Sequence, residues 1–144
     1  MNEREYLAEC HRGGEMTSLG ISLYTYKTDT ALKALRSKYE LLKYYADRYE
    51  EPISFVIGLS NVDLRRPREI IPSHLHAVIK GPGSFAFAHN VARRINRRAN
   101  KDGNAHKLLP ATVVSLKAVD PAFNDGGARY ILKDLWPSCP FKSV

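Results

Sequence analysis

The sequence predicts an α+β fold, an antiparallel sheet of four to five strands with helices packed on one face. Three observations carry this expectation. Two long stretches place apolar residues at helical spacing, several runs of strand length are rich in β-branched and aromatic residues, and the elements alternate as strand, helix, strand, strand, helix, strand, helix. At 144 residues the chain has room for one substantial core, so a single domain over 18–144 is expected behind a flexible N-terminal arm over 1–17.

The arm is expected because residues 1–17 lack periodicity and contain Gly13-Gly14. Residues 19–27 alternate apolar with small or polar side chains, as a half-buried strand requires. Ile21 and Leu23 would share one face. Tyr24 and Tyr26 would share the other, where they either stack bases or cover a packed helix. Thr28, Asp29 and Thr30 offer helix caps, and Leu32, Leu35, Tyr39, Leu42, Tyr45 and Tyr49 form the stripe of a long amphipathic helix that stops before Pro52. Tyr39, Tyr44, Tyr45 and Tyr49 read as core and core-edge residues of that helix.

Residues 53–60 form a nearly continuous apolar run, the pattern of a central strand, and 61–72 read as a polar connection containing Arg65, Arg66 and Arg68. Residues 73–80 form the next strand, antiparallel to the preceding one. Gly81-Pro82-Gly83 breaks it, and Ser84 caps a helix to about residue 100 whose stripe is Phe85, Ala88, Val91, Ala92, Ile95 and Ala99. A strand over 111–119 and a short helix from about residue 127 to Trp136, halted by Pro137, complete the order.

Composition narrows the function classes. Apolar content of 44% and charged content of 26% are ordinary for a globular protein, and no apolar run is long enough to span a bilayer. Residues 1–9 lack the basic and then apolar pattern of a secretory leader, which predicts a cytoplasmic location. Cys10 and Cys139 have neither metal-ligand nor redox spacing. A net charge of +7 fits a polyanionic partner. The densest positive patch is Arg93, Arg94, Arg97 and Arg98 with Lys101, which reads either as a nucleic-acid contact or as a solvated helix face.

The chemistry-bearing stretch is Pro72-Ser-His-Leu-His-Ala-Val-Ile-Lys80. Alternation along a strand puts His74 and His76 on one face and Leu75 on the other. Two such imidazoles either hold one divalent cation or decorate a half-exposed strand. On the last helix Tyr130, Lys133 and Asp134 stand at i, i+3 and i+4 and share a face. A cation at the histidines would stabilise the charge of an in-line displacement at phosphorus, Tyr130 could attack the phosphodiester, and Lys133 could favour the tyrosinate or the incoming phosphate.

The ordered set Phe55-Val-Ile-Gly-Leu-Ser60, His74-Leu75-His76 and Tyr130-Ile-Leu-Lys133 resembles the three motifs of the HUH endonuclease superfamily, most closely its single-tyrosine rolling-circle replication initiators. The likeness spans roughly residues 52–136. Insertion-sequence transposases of that superfamily carry glutamine where this chain has Lys133, and relaxases place the tyrosine near the N-terminus and add a third histidine. The resemblance implies a ferredoxin-like or RRM-like sheet with the metal site on its central strands. It also implies cleavage of single-stranded DNA through a 5′-phosphotyrosine intermediate, with Mg2+ or Mn2+ as cofactor. His74 and His76 would be metal ligands, Tyr130 the nucleophile and Lys133 its helper. Glu69 is the first candidate for a third ligand, with Asp134 and Asp63 behind it. Larger initiators append a helicase; here the chain ends soon after the tyrosine helix, so unwinding is expected from a separate partner. The competing expectations are a non-catalytic RRM-like nucleic-acid-binding module or repressor, and a protein-interaction domain whose charge only maintains solubility.

Overall fold

The computed structural model describes residues 15–63, 66–104 and 112–118. In chain order the elements are β1 (Met16–Ser22), α1 (Thr28–Asp47), β2 (Ser54–Asp63), β3 (Arg66–Lys80), α2 (Ser84–Asn104) and β4 (Thr112–Ala118). The four strands form one antiparallel sheet in the order β2-β3-β1-β4. This is a ferredoxin-like α+β arrangement, two interleaved strand-helix-strand units with β1 and β3 at the centre. The expected helix from residue 127 lies outside the described residues.

One face of the sheet and both helices make the core. Leu19 and Ile21 of β1, Phe55 and Ile57 of β2, and Leu75, Ala77 and Ile79 of β3 are fully buried against α1 and α2. From the helices come Ala31, Leu35, Leu42 and Ala46 of α1 and Phe87, Ala88, Val91, Ala92 and Ile95 of α2. Each large apolar side chain removed from water in this way contributes about 1.5–3 kcal/mol. Tyr39 packs its ring 5.5 Å from Phe55, and Tyr49 lies 5.2 Å from Phe87 while donating its hydroxyl to the Gly83 carbonyl at 3.3 Å. These two tyrosines, Tyr39 on α1 and Tyr49 just beyond its end, close the edges of the core. Tyr44 does not, being 51% exposed.

Several boundaries differ from expectation. β1 starts at Met16, inside the segment expected to be an arm, and both Met16 and Thr17 are buried. Thr17 shares a 3.0 Å hydrogen bond with Ser84, fastening the start of β1 to the start of α2. Immediately before it, the Glu15 carboxylate accepts the Gly83 N–H at 2.8 Å and the Phe85 N–H at 3.2 Å. A negative charge thus satisfies free donors at the positive end of α2. β1 ends at Ser22 instead of continuing to Lys27, and Tyr24 adopts a φ of 54°. The chain leaves the ladder there, although the Leu23 N–H still donates to the Ser73 carbonyl and the Ser73 N–H to the Thr25 carbonyl.

At the start of α1 the cap position is Lys27, with no side-chain cap; the Thr25 hydroxyl instead accepts the Lys27 N–H at 3.1 Å. α1 also stops at Asp47, short of the proline. In α2 the aromatic ring that enters the core is that of Phe87, leaving Phe85 41% exposed. The segment read as a polar connection is instead the end of a long β2–β3 hairpin, with Val62 opposite Ile70 and Asp63 opposite Arg66.

Candidate functional site

Alternation along β3 decides where the two histidines go. Leu75, Ala77 and Ile79 enter the helix-covered core, so His74 and His76 stand on the opposite face of a central strand. Their ring centroids are 4.7 Å apart at 87°, edge to face, and both side chains are half-buried.

The cross-strand register surrounds this pair with small residues. His76 lies opposite Gly58 of β2 and Gly20 of β1, and Gly20 in turn lies opposite Ser115 of β4. His74 lies opposite Ser60 of β2 and Ser22 of β1, followed by Thr112 of β4. Two polar rows therefore run across all four strands beside the imidazoles. A β-carbon at Gly20 would collide with the Ser115 hydroxyl, so glycine is what lets that hydroxyl approach the row. Directly opposite positions on a sheet are about 4.5–5.5 Å apart, and bulky residues there would cover the rings. Sequence reasoning missed Gly20, Gly58 and Ser115 as companions of the histidines. The available signal was a glycine in the middle of each of two predicted strands.

The site offers two imidazoles side by side. The His74 Nδ1–H donates to the Pro72 carbonyl at 3.3 Å, so in a neutral ring the lone pair is on Nε2. Burial, together with the neighbouring His74, lowers the pKa of His76 from 6.5 to about 4. The ring is neutral near pH 7, the form that binds metal. Among the described residues no third His, Cys, Asp or Glu joins the pair. Glu69 and Asp63 lie on the hairpin strands, with side chains outside those described, while Tyr130, Lys133 and Asp134 lie outside the described residues altogether.

The lowered pKa has a stability consequence. Between pH 6.5 and 4 the unfolded chain binds a proton at residue 76 that the folded chain excludes, so folding weakens as pH falls through this window and levels off below it. Allowing for partial solvent screening, the loss is about 2 kcal/mol. Urea denaturation at a series of pH values is expected to show this loss in the wild type and a smaller one in His76→Gln; equal slopes would remove the assignment.

The arginines are on the other side of the molecule. α2 lays Phe87, Val91 and Ile95 on the core face of the sheet, and Arg93, Arg94, Arg97 and Arg98 are exposed on its outer surface. The backbone of Lys101 continues the same helix. The sheet thus separates the imidazoles from the basic surface. Asn96, between the two arginine pairs, faces β4 and accepts the Val113 N–H at 2.8 Å where the β1–β4 register shifts. No helix among the described residues is long and apolar enough to cross a membrane. Compared with models of protein families, with curated proteins and with solved structures, the chain matches none.

Proposed function

We propose that the protein is a metal-dependent single-stranded DNA endonuclease of the HUH type, a nickase and strand transferase acting in replication or mobilisation of a plasmid, virus or other mobile element. The observation that supports this reading is the pair of adjacent imidazoles on a central strand of a ferredoxin-like sheet, on the face opposite the helices and flanked in register by glycine and serine. In this reading the protein works in the cytoplasm.

His74 and His76 would hold Mg2+ or Mn2+, with Glu69 as the favoured third ligand and Asp134 and Asp63 as alternatives. When bound, the ion supplies positive charge to the non-bridging phosphate oxygens as negative charge builds there. The Tyr130 phenol oxygen forms a bond to phosphorus and gives up its proton. The bond from phosphorus to the 3′-oxygen breaks, and that oxygen leaves as a 3′-hydroxyl after taking a proton. Lys133 stabilises the tyrosinate that attacks. The 5′-phosphotyrosine retains the phosphodiester energy for rejoining by the reverse displacement.

Tyr130→Phe is expected to abolish covalent DNA attachment on a denaturing gel, in manganese with single-stranded oligonucleotides, while leaving binding of the same oligonucleotides nearly intact. An adduct formed by this variant would sink the assignment of the nucleophile. The placement of the arginines away from the imidazoles favours a second reading, an RRM-like nucleic-acid-binding module or repressor without cleavage. A manganese titration that detects no ion at His74 and His76, together with no adduct, would select it.

A further inference from the structure

Charge and aromatic rings form a continuous strip on the surface of the helix layer. At the end of α1 the Arg48 guanidinium lies 3.5 Å from the centre of the Tyr44 ring and is pinned there by a 2.9 Å hydrogen bond to the Tyr44 carbonyl. Tyr44 meets Tyr45 edge to face at 5.1 Å. Across the gap between the helices, Arg94 of α2 lies 4.6 Å from the centre of the Tyr45 ring. Arg94 then lines a cleft of about 270 Å³ with Asn90, Arg93 and Arg97.

We infer that this strip is a second nucleic-acid-binding surface, for single strands, on the side of the sheet opposite His74 and His76. It goes beyond the proposed cleavage, since neither imidazole takes part. The occupant follows from the chemistry present. Arginines around a cleft attract phosphate, and a guanidinium held over a tyrosine ring is a cationic group on which a base stacks. Single strands expose the base faces that such a platform needs, whereas a duplex keeps them stacked internally. The total charge of +7 agrees in sign with a polyanion, and the acidic residues near this end of α1 in sequence are Glu40, Asp47, Glu50 and Glu51. An acidic protein would satisfy the arginines but would have no use for the exposed Tyr44 ring.

The test is fluorescence anisotropy with a labelled single-stranded oligothymidylate at low salt, in EDTA so that no metal occupies the histidines. Tyr44→Leu and Arg97→Gln replace exposed side chains, so the fold is expected to persist, as thermal melting would verify. Each is expected to weaken binding about tenfold, the scale of one lost stacking or phosphate contact. The inference is overturned if Tyr44→Leu binds like the wild type, or if polyglutamate of matched charge displaces the oligonucleotide as well as unlabelled oligothymidylate does. Should adduct formation never be seen while this EDTA-resistant, Tyr44-dependent binding persists, the cleavage reading falls and the binding surface stands.

Discussion

His76→Ala is expected to lose manganese-dependent adduct formation by at least about a hundredfold, the scale on which metal sites fail when their ligation is disturbed. The same substitution should scarcely alter the melting temperature at neutral pH. Its ring lies on the face away from the helices, between Gly20 and Gly58 in register and edge to face with His74. Leu75, the adjacent residue, is fully buried, and its replacement by alanine would cost about 2–5 kcal/mol through an internal cavity. Neighbouring positions therefore separate chemistry from stability. Isothermal titration with manganese, run beside the gel assay, gives the decisive comparison. If His76→Ala binds manganese as tightly as the wild type and still forms adduct, the ion is held elsewhere.

Gly81→Ala is expected to cost the fold much of its stability. Gly81 has a φ of 137°, a region that side chains with a β-carbon rarely enter, and a β-carbon there would strike the Pro52 carbonyl and approach Ile53 at 3.1 Å. Its N–H also donates to the Glu15 carbonyl at 3.0 Å, so the backbone has little freedom to move aside. Conformational strain and backbone collision together are expected to destabilise the fold by about 3 kcal/mol. A thermal melt should shift down by about 10 °C. A shift within about 2 °C would mean that the turn between β3 and α2 is built differently.

Local patterning made most of the architecture legible. The alternation of Leu75, Ala77 and Ile79 with His74 and His76 assigned both faces of β3 before any pairing was known. Helical periodicity located α1 and α2, because one side of each helix is apolar and the other charged. Met16 and Thr17 escaped because both are buried, which erases the alternation that marks a half-exposed strand. The hairpin through Val62 and Ile70 escaped because its strands are interrupted by arginines and prolines that read as loop. Cross-strand register is non-local, so the row Gly58, His76, Gly20 and Ser115 became visible only with the strands paired. So did the separation of the imidazoles from Arg93 and Arg97. One-dimensional spacing put both groups on a single chain and said nothing about the sheet between them.

The central position of β1 constrains the order of assembly during synthesis. It is the first of the described strands to be made, yet its two neighbours are β3, where Ser22 meets His74, and β4, where Thr17 meets Ala118. The ribosome must therefore deliver nearly the whole described chain before the middle strand has both of its ladders. Contacts so distant in sequence slow folding, and the nascent β1, with Leu19 and Ile21 awaiting their cover, is the stretch that a chaperone would most usefully shield.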